Sequence, residues 1–158
     1  VYVRSYNRSY LDTVCRRFEK VLKGAAMMTE TEVEIIEEKK VDNKIPVLTL
    51  NDLVMKQAEE LHAPQLAPAR EKTGSTDFGN VMRRVPGTCA RIAFVDPGAA
   101  AHSQEYIAAG KTDAAHDAVV YGAKILAGTA LELIEDPELL NRVKTEFKEN
   151  LAKENSEV

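Results

Sequence analysis

The stretch from Thr73 to Ala109, TGSTDFGNVMRRVPGTCARIAFVDPGAAAHSQEYIAA, limits most what this chain can fold into. Gly74, Gly79, Gly87 and Gly98 punctuate it together with Pro86 and Pro97. No long helix or strand can run through such spacing. Amphipathic segments flank it on both sides. A loop-rich centre carried by regular elements is where binding and chemistry concentrate, so the remainder reads as scaffold.

The N-terminal scaffold alternates strand and helix signals. Val1–Ser5 is β-prone and predicts a short strand. Ser9, with Asp12 three residues on, offers a box-like helix start. Leu11, Val14, Cys15, Phe18, Val21, Leu22 and Ala25 then recur at helical spacing, predicting an amphipathic helix over 10–27. Thr31–Lys39, TEVEIIEEK, alternates Val33 and Ile35 against Glu32 and Glu34, the pattern of a half-buried strand. Strand, helix and strand in this order make half of a ferredoxin-like unit. Half a unit cannot close its own sheet. The chain also begins at Val1 with strand-like residues. Both features lead to the expectation of a fragment of a longer protein.

Val41–Val47 holds Asn43 and Pro46 and reads as a linker. Thr49 or Asn51 caps a helix running to about Leu61, and His62–Lys72, with Pro64 and Pro68, reads as irregular. Asp77–Val85 predicts a short helix broken by Pro86-Gly87. Cys89–Val95, CARIAFV, reads as a buried strand. Ala99–Gly110 reads as a loop carrying His102. A long Ala-rich helix runs from Asp113 to Ile134 with Thr112 as its cap, and its Gly122 and Gly128 suggest close packing against a sheet. Pro137 opens a last helix with Leu140, Val143, Phe147 and Leu151 as its stripe, and the tail after Lys153 reads as frayed. The expected class is α/β (α+β), divided into 1–45 and 46–158.

Composition excludes several functions. A net charge of −4 without a basic stripe argues against nucleic acid. No apolar run approaches bilayer length. Cys15 and Cys89 are far apart among apolar neighbours and read as small buried thiols, which suits a reducing cytoplasm. There is no Walker loop, GxGxxG, GxSxG, HExxH or CxxC.

Two features remain. His102 follows an apolar run and a Pro-Gly turn, where an imidazole serves as metal ligand or base. A loop histidine bonded to backbone is the commoner reading of such spacing. Gly74-Ser75-Thr76-Asp77 is a tight turn feeding a helix. Its N–H groups suit a carboxylate, and Asp77 as a plain N-cap is the commoner reading. His62 and His116 read as structural, and Arg4 as a surface ion-pair partner.

TGSTDFGNVMRRVPG, followed by AHSQEYIAA and a long Ala-rich helix, resembles the C-terminal part of a zinc-dependent amidohydrolase and peptidase family. That family includes carboxypeptidase G, aminoacylase and the aminobenzoyl-glutamate hydrolases. VYVRSYNRSYLDTVCRRFEKVLKGAAMMTETEVEI resembles the second half of its lid, or dimerisation, domain. The resemblance covers essentially the whole chain. It implies half of a ferredoxin-like lid over 1–45 and the end of an α/β catalytic domain over 46–158. It implies that His102 matches the family's late metal-binding histidine. Gly74, Ser75, Thr76 and Asp77 match a loop lining the substrate pocket, and Arg4 matches a lid arginine facing the substrate carboxylate. It further implies two zinc ions in an intact parent, a homodimer, and an amide, N-acyl amino acid, aminobenzoyl-glutamate or dipeptide substrate. This chain lacks the family's HxD motif, bridging aspartate and Glu-Glu pair. The expectation is therefore a hydrolase fragment, inert alone. The competing expectation is a dimerisation module without catalysis.

Overall fold

The computed structural model describes residues 1–63, 66–68 and 74–156. The predicted irregular segment His62–Lys72 falls partly, and Thr73 wholly, outside the described residues. Six helices follow one another: α1 (Arg8–Met28), α2 (Leu48–Glu60), α3 (Phe78–Met82), α4 (Gln104–Ala109), α5 (Asp113–Glu135) and α6 (Pro137–Ser156). Among the described residues there is no strand.

The expected α/β class, with its ferredoxin-like half-lid and α/β hydrolase domain, is therefore corrected. The physical reason lies in the three segments read as strands. Val1–Ser5, Thr31–Lys39 and Cys89–Val95 make no ladder of backbone hydrogen bonds. Thr31–Lys40 does alternate, but every residue in it is exposed. Alternation becomes a sheet only when a partner strand satisfies the backbone and one face is covered.

The chain forms two compact units. The first comprises 1–46, 71–87 and 145–158, and the second 47–70 and 88–144. The division falls within α6.

In the first unit, α1 starts one residue before the expected cap. Asn7, not Ser9, caps it, its Oδ1 accepting from the Tyr10 N–H at 2.9 Å. Ser9 instead donates to the Glu154 carbonyl. The helix ends in a left-handed Glu30 (φ 54°), which lets the Thr31 N–H reach the Ala26 carbonyl at 3.0 Å. A polar knot joins the 40–43 loop to α3. Asp42 donates its N–H to Asn80 Oδ1, and Asn80 donates back to Asp42 Oδ2 and to the Lys40 carbonyl. The Arg8 guanidinium lies 3.6 Å from Asp42. Arg83 donates to Asn43 and, at 2.9 Å, to Asn155 of α6. Gly79 is buried at the centre. A Cβ there would collide with the Asp42 carbonyl oxygen. The α6 tail is helical as far as Ser156 instead of frayed after Lys153.

In the second unit, α2 packs on α5. Val54, Ala58 and Ile125 form the buried cluster, with Leu61, Ala63 and Ile92 against it. Neither Thr49 nor Asn51 caps α2. Val47 holds that position without a side-chain bond, and Asn51 Oδ1 accepts from the Thr88 hydroxyl. His62 occupies the left-handed position after α2 (φ 55°), and the Ala63 N–H returns to the Ala58 carbonyl. This residue closes a helix, as its place at a helix end suggested. Thr112 caps α5, its Oγ1 accepting from the Ala115 N–H. Gly128 admits α2 rather than a sheet, since a Cβ there would overlap the Gln57 side chain. Gln57 and Lys56 both bond Glu132. The Lys56 bond, at 2.7 Å, is the main reason its ammonium is held above the ordinary lysine range, against desolvation, which lowers it. No described helix is long and apolar enough to cross a membrane.

Candidate functional site

His102 sits where the chain turns into α4. An earlier turn at Pro97-Gly98 precedes it, the Asp96 carbonyl accepting from the Gly98 and Ala99 N–H groups. The residues Gln104–Ala109, expected as loop, are helical. Ser103 caps them by accepting from the Tyr106 N–H at 3.2 Å. A hydroxyl one residue before a helix start satisfies an otherwise orphaned donor, and this short signal was available in the sequence. His102 itself has φ 65°, in the left-handed region that few side chains enter. Unlike His62, it closes no helix.

The imidazole is exposed and lines an open depression of about 730 Å³ with Arg91, Ile92, Ala101, Ser103, Tyr106 and Ile107. Phe94 holds Tyr106 edge-on, their ring centroids 4.9 Å apart. Alternate residues of the former strand reading thus have different tasks. Ile92 and Phe94 are half-buried, while Arg91 remains exposed. Arg91 and Tyr106 are the site neighbours that sequence reasoning missed. The lone charge inside CARIAFV was the signal for the first.

Gly74, Ser75, Thr76 and Asp77 belong to the first unit, and His102 to the second. Gly74, Ser75 and Asp77 are exposed. Thr76 bonds inward, its Oγ1 accepting from the Phe78 N–H and its carbonyl from Gly79. Asp77 holds the N-cap position of α3 but makes no side-chain cap bond. It pairs with Lys39 at 3.3 Å. Arg4 is exposed in the first unit, its guanidinium 5.7 Å from the centroid of the Tyr2 ring. His116 lies in the first turn of α5, exposed, beside Ile92 and Phe94 in a second shallow depression. The two thiols are free but not buried as expected: Cys15 is half-buried and Cys89 exposed. An apolar neighbourhood in sequence did not become one in space, because the Cys89 side of its segment has nothing packed over it.

A catalytic zinc usually takes three protein ligands. Among the described residues, no three His, Cys, Asp or Glu side chains converge where a metal could sit. One imidazole beside a guanidinium does not by itself make a two-zinc centre.

Comparison with known proteins gives two relatives. No family model matches the chain. It is 32% identical over 157 residues to the Xaa-Arg dipeptidase of Mus musculus, covering 97% of this chain and 36% of that protein. It is 39% identical over 82 residues to the Xaa-Arg dipeptidase of Homo sapiens, covering 52% of this chain and 19% of that protein. The chain thus spans little more than a third of the mouse relative's length. Neither relative is a carboxypeptidase G, an aminoacylase or an aminobenzoyl-glutamate hydrolase. The kinship that these matches support is with peptidases.

Proposed function

We propose that this chain forms part of a metal-dependent dipeptidase that hydrolyses an amide bond next to a carboxylate. The observation carrying the proposal is the 32% identity to a dipeptidase across nearly all of the chain. The left-handed, exposed His102 in its depression supports it with a residue able to act. In this reading His102 donates one ligand to a zinc centre of two ions. The other donors, and the carboxylate that shuttles the proton, come from the part of the relatives' length that this chain does not span. Such a centre would polarise the scissile carbonyl and activate water. Gly74, Ser75, Thr76, Asp77 and Arg4, in the other unit, are proposed as substrate contacts on the family resemblance alone. By the names of the relatives, the substrate is a dipeptide ending in arginine.

The reading has a direct consequence. The 158-residue chain supplied with zinc or manganese shows no hydrolysis of an Xaa-Arg dipeptide. Metal-dependent turnover by the purified chain would overturn the assignment of the missing donors.

A second reading, a module for homodimer formation without catalysis, has its own support in α5. Beside its buried face, this helix exposes Val119, Val120, Leu126, Leu131 and Ile134. A helix apolar on both faces is ordinarily covered on both. Light scattering after size exclusion tests this, and a monomer at high concentration contradicts it.

A further inference from the structure

From Val119 to Ile134, nine residues of α5 are exposed, and eight of them are apolar. Lys124 is the one charge among them. Val119, Val120, Leu126, Leu131 and Ile134 keep half or more of their surface in solvent. They turn away from Ala118, Ile125 and Thr129, on the buried face of the same helix. The outer face of α1 is the contrast, since Arg16, Arg17, Glu19, Lys20 and Lys23 are exposed there. A charged face suits water, whereas a continuous apolar stripe marks a surface that something covers. Ala123, Ala127 and Ala130 stand among the large side chains of the stripe and let a neighbour approach the helix closely. The stripe begins beside the candidate site. Val119 lines the second depression with Ile92, Phe94 and His116, and Ile92 also lines the depression of His102. The mouse relative is matched over 36% of its length, so most of that polypeptide lies outside the matched region.

We propose that the outer face of α5 is where this chain docks onto the remainder of the dipeptidase polypeptide, through an apolar, uncharged surface of that remainder. The assignment rests on the dipeptidase reading for its occupant, but the contact itself needs neither metal nor substrate. A surface seated on Val119–Ile134 reaches, at its Val119 end, the wall shared with His102. The polypeptide that covers the helix is thus in position to bring the further zinc donors that one imidazole lacks. A second copy of this chain is the competing occupant, and nothing comparable ties it to the His102 depression.

The test replaces the matching region of the mouse Xaa-Arg dipeptidase with this chain and compares that chimera with the 158-residue chain alone. Leu126→Cys is introduced into both. Its alkylation by a maleimide is read peptide by peptide by mass spectrometry, so that the free Cys15 and Cys89 do not interfere. The account expects a thiol that reacts freely in the chain alone. In the chimera it should react about a hundredfold more slowly or less, because it is reached only when the interface opens. Lys20→Cys, on the charged face of α1, should react alike in both. Leu126→Glu should leave the melting of the chain alone in place and lower that of the chimera by about 5 °C or more. Equal reactivity of Leu126→Cys in the two proteins, or equal protection at Lys20→Cys, would overturn the proposal. So would a 158-residue chain that scatters light as a dimer with its position-126 thiol protected, which gives the face to a second copy. A chimera that does not fold would count against it too, since the chain would then fail to dock. Protection without zinc-dependent hydrolysis would sink the metal reading and leave this one standing. Hydrolysis with the thiol still reactive would do the reverse.

Discussion

The two compact units are held by different chemistry. In the first, the central contacts are polar and distant in sequence. Arg8 of α1 pairs with Asp42, Asp42 with Asn80 of α3, and Arg83, just after α3, with Asn43 of the same 40–43 loop. One Glu154 carboxylate oxygen is buried there without a hydrogen-bond partner, 3.9 Å from Arg83. In the second, α2 and α5 meet through Val54, Ala58 and Ile125, and the polar bonds of Glu132 lie at the edge. A polar knot tolerates little displacement, because each donor has a fixed acceptor. An apolar helix pair can shift slightly and repack.

Three glycine substitutions test that difference. The largest effect is expected for Gly79→Ala. The new methyl would meet the Asp42 carbonyl, which is backbone and cannot swing away. Unfolding in urea should show a loss of about 3 kcal/mol or more. A loss below about 1 kcal/mol would mean that the knot gives way as easily as an apolar contact. Gly128→Ala comes next. Its methyl would meet the far end of the Gln57 side chain, which can rotate out at the cost of its bond to Glu132. The expected loss is about 1 kcal/mol, partly offset by the better helix propensity of alanine. Gly24→Ala, on α1, should have the opposite sign. Nothing lies within 4 Å of the added methyl, so melting should rise by the equivalent of about 0.5–1 kcal/mol. If all three variants behaved alike, the contrast between the units would have no basis.

The same contrast explains how much could be read from the sequence. In the second unit the long helices were legible, while Cys89–Val95 and α4 were not. The Thr112 cap and Pro137 at the head of α6 are local signals, and local signals set where helices start. The knot of the first unit was not. Asp42 and Asn80 stand 38 residues apart, and Arg83 and Asn155 stand 72 apart. Polar residues paired at such distances leave no period in the chain. TEVEIIEEK misled for a related reason. Its alternation is real, but the Lys40 carbonyl and the Asp42 N–H at its end bond the side chain of Asn80 instead of a neighbouring strand.

At the candidate site, sequence spacing found His102 but not the company it keeps. Tyr106 lines the depression with the imidazole where Ser103 starts a helix within what read as loop, and Arg91 joins it from the CARIAFV segment. The left-handed backbone of His102 had no sequence signature, since histidine enters that region only occasionally.

The central claim concerns the role of His102 in a dipeptidase. It is tested most directly by replacing the matching region of the mouse Xaa-Arg dipeptidase with this chain and measuring zinc-dependent hydrolysis of an Xaa-Arg dipeptide. The account predicts turnover that falls at least about a hundredfold in His102→Ala and is unaffected in His116→Ala. Full activity without the His102 imidazole would contradict it.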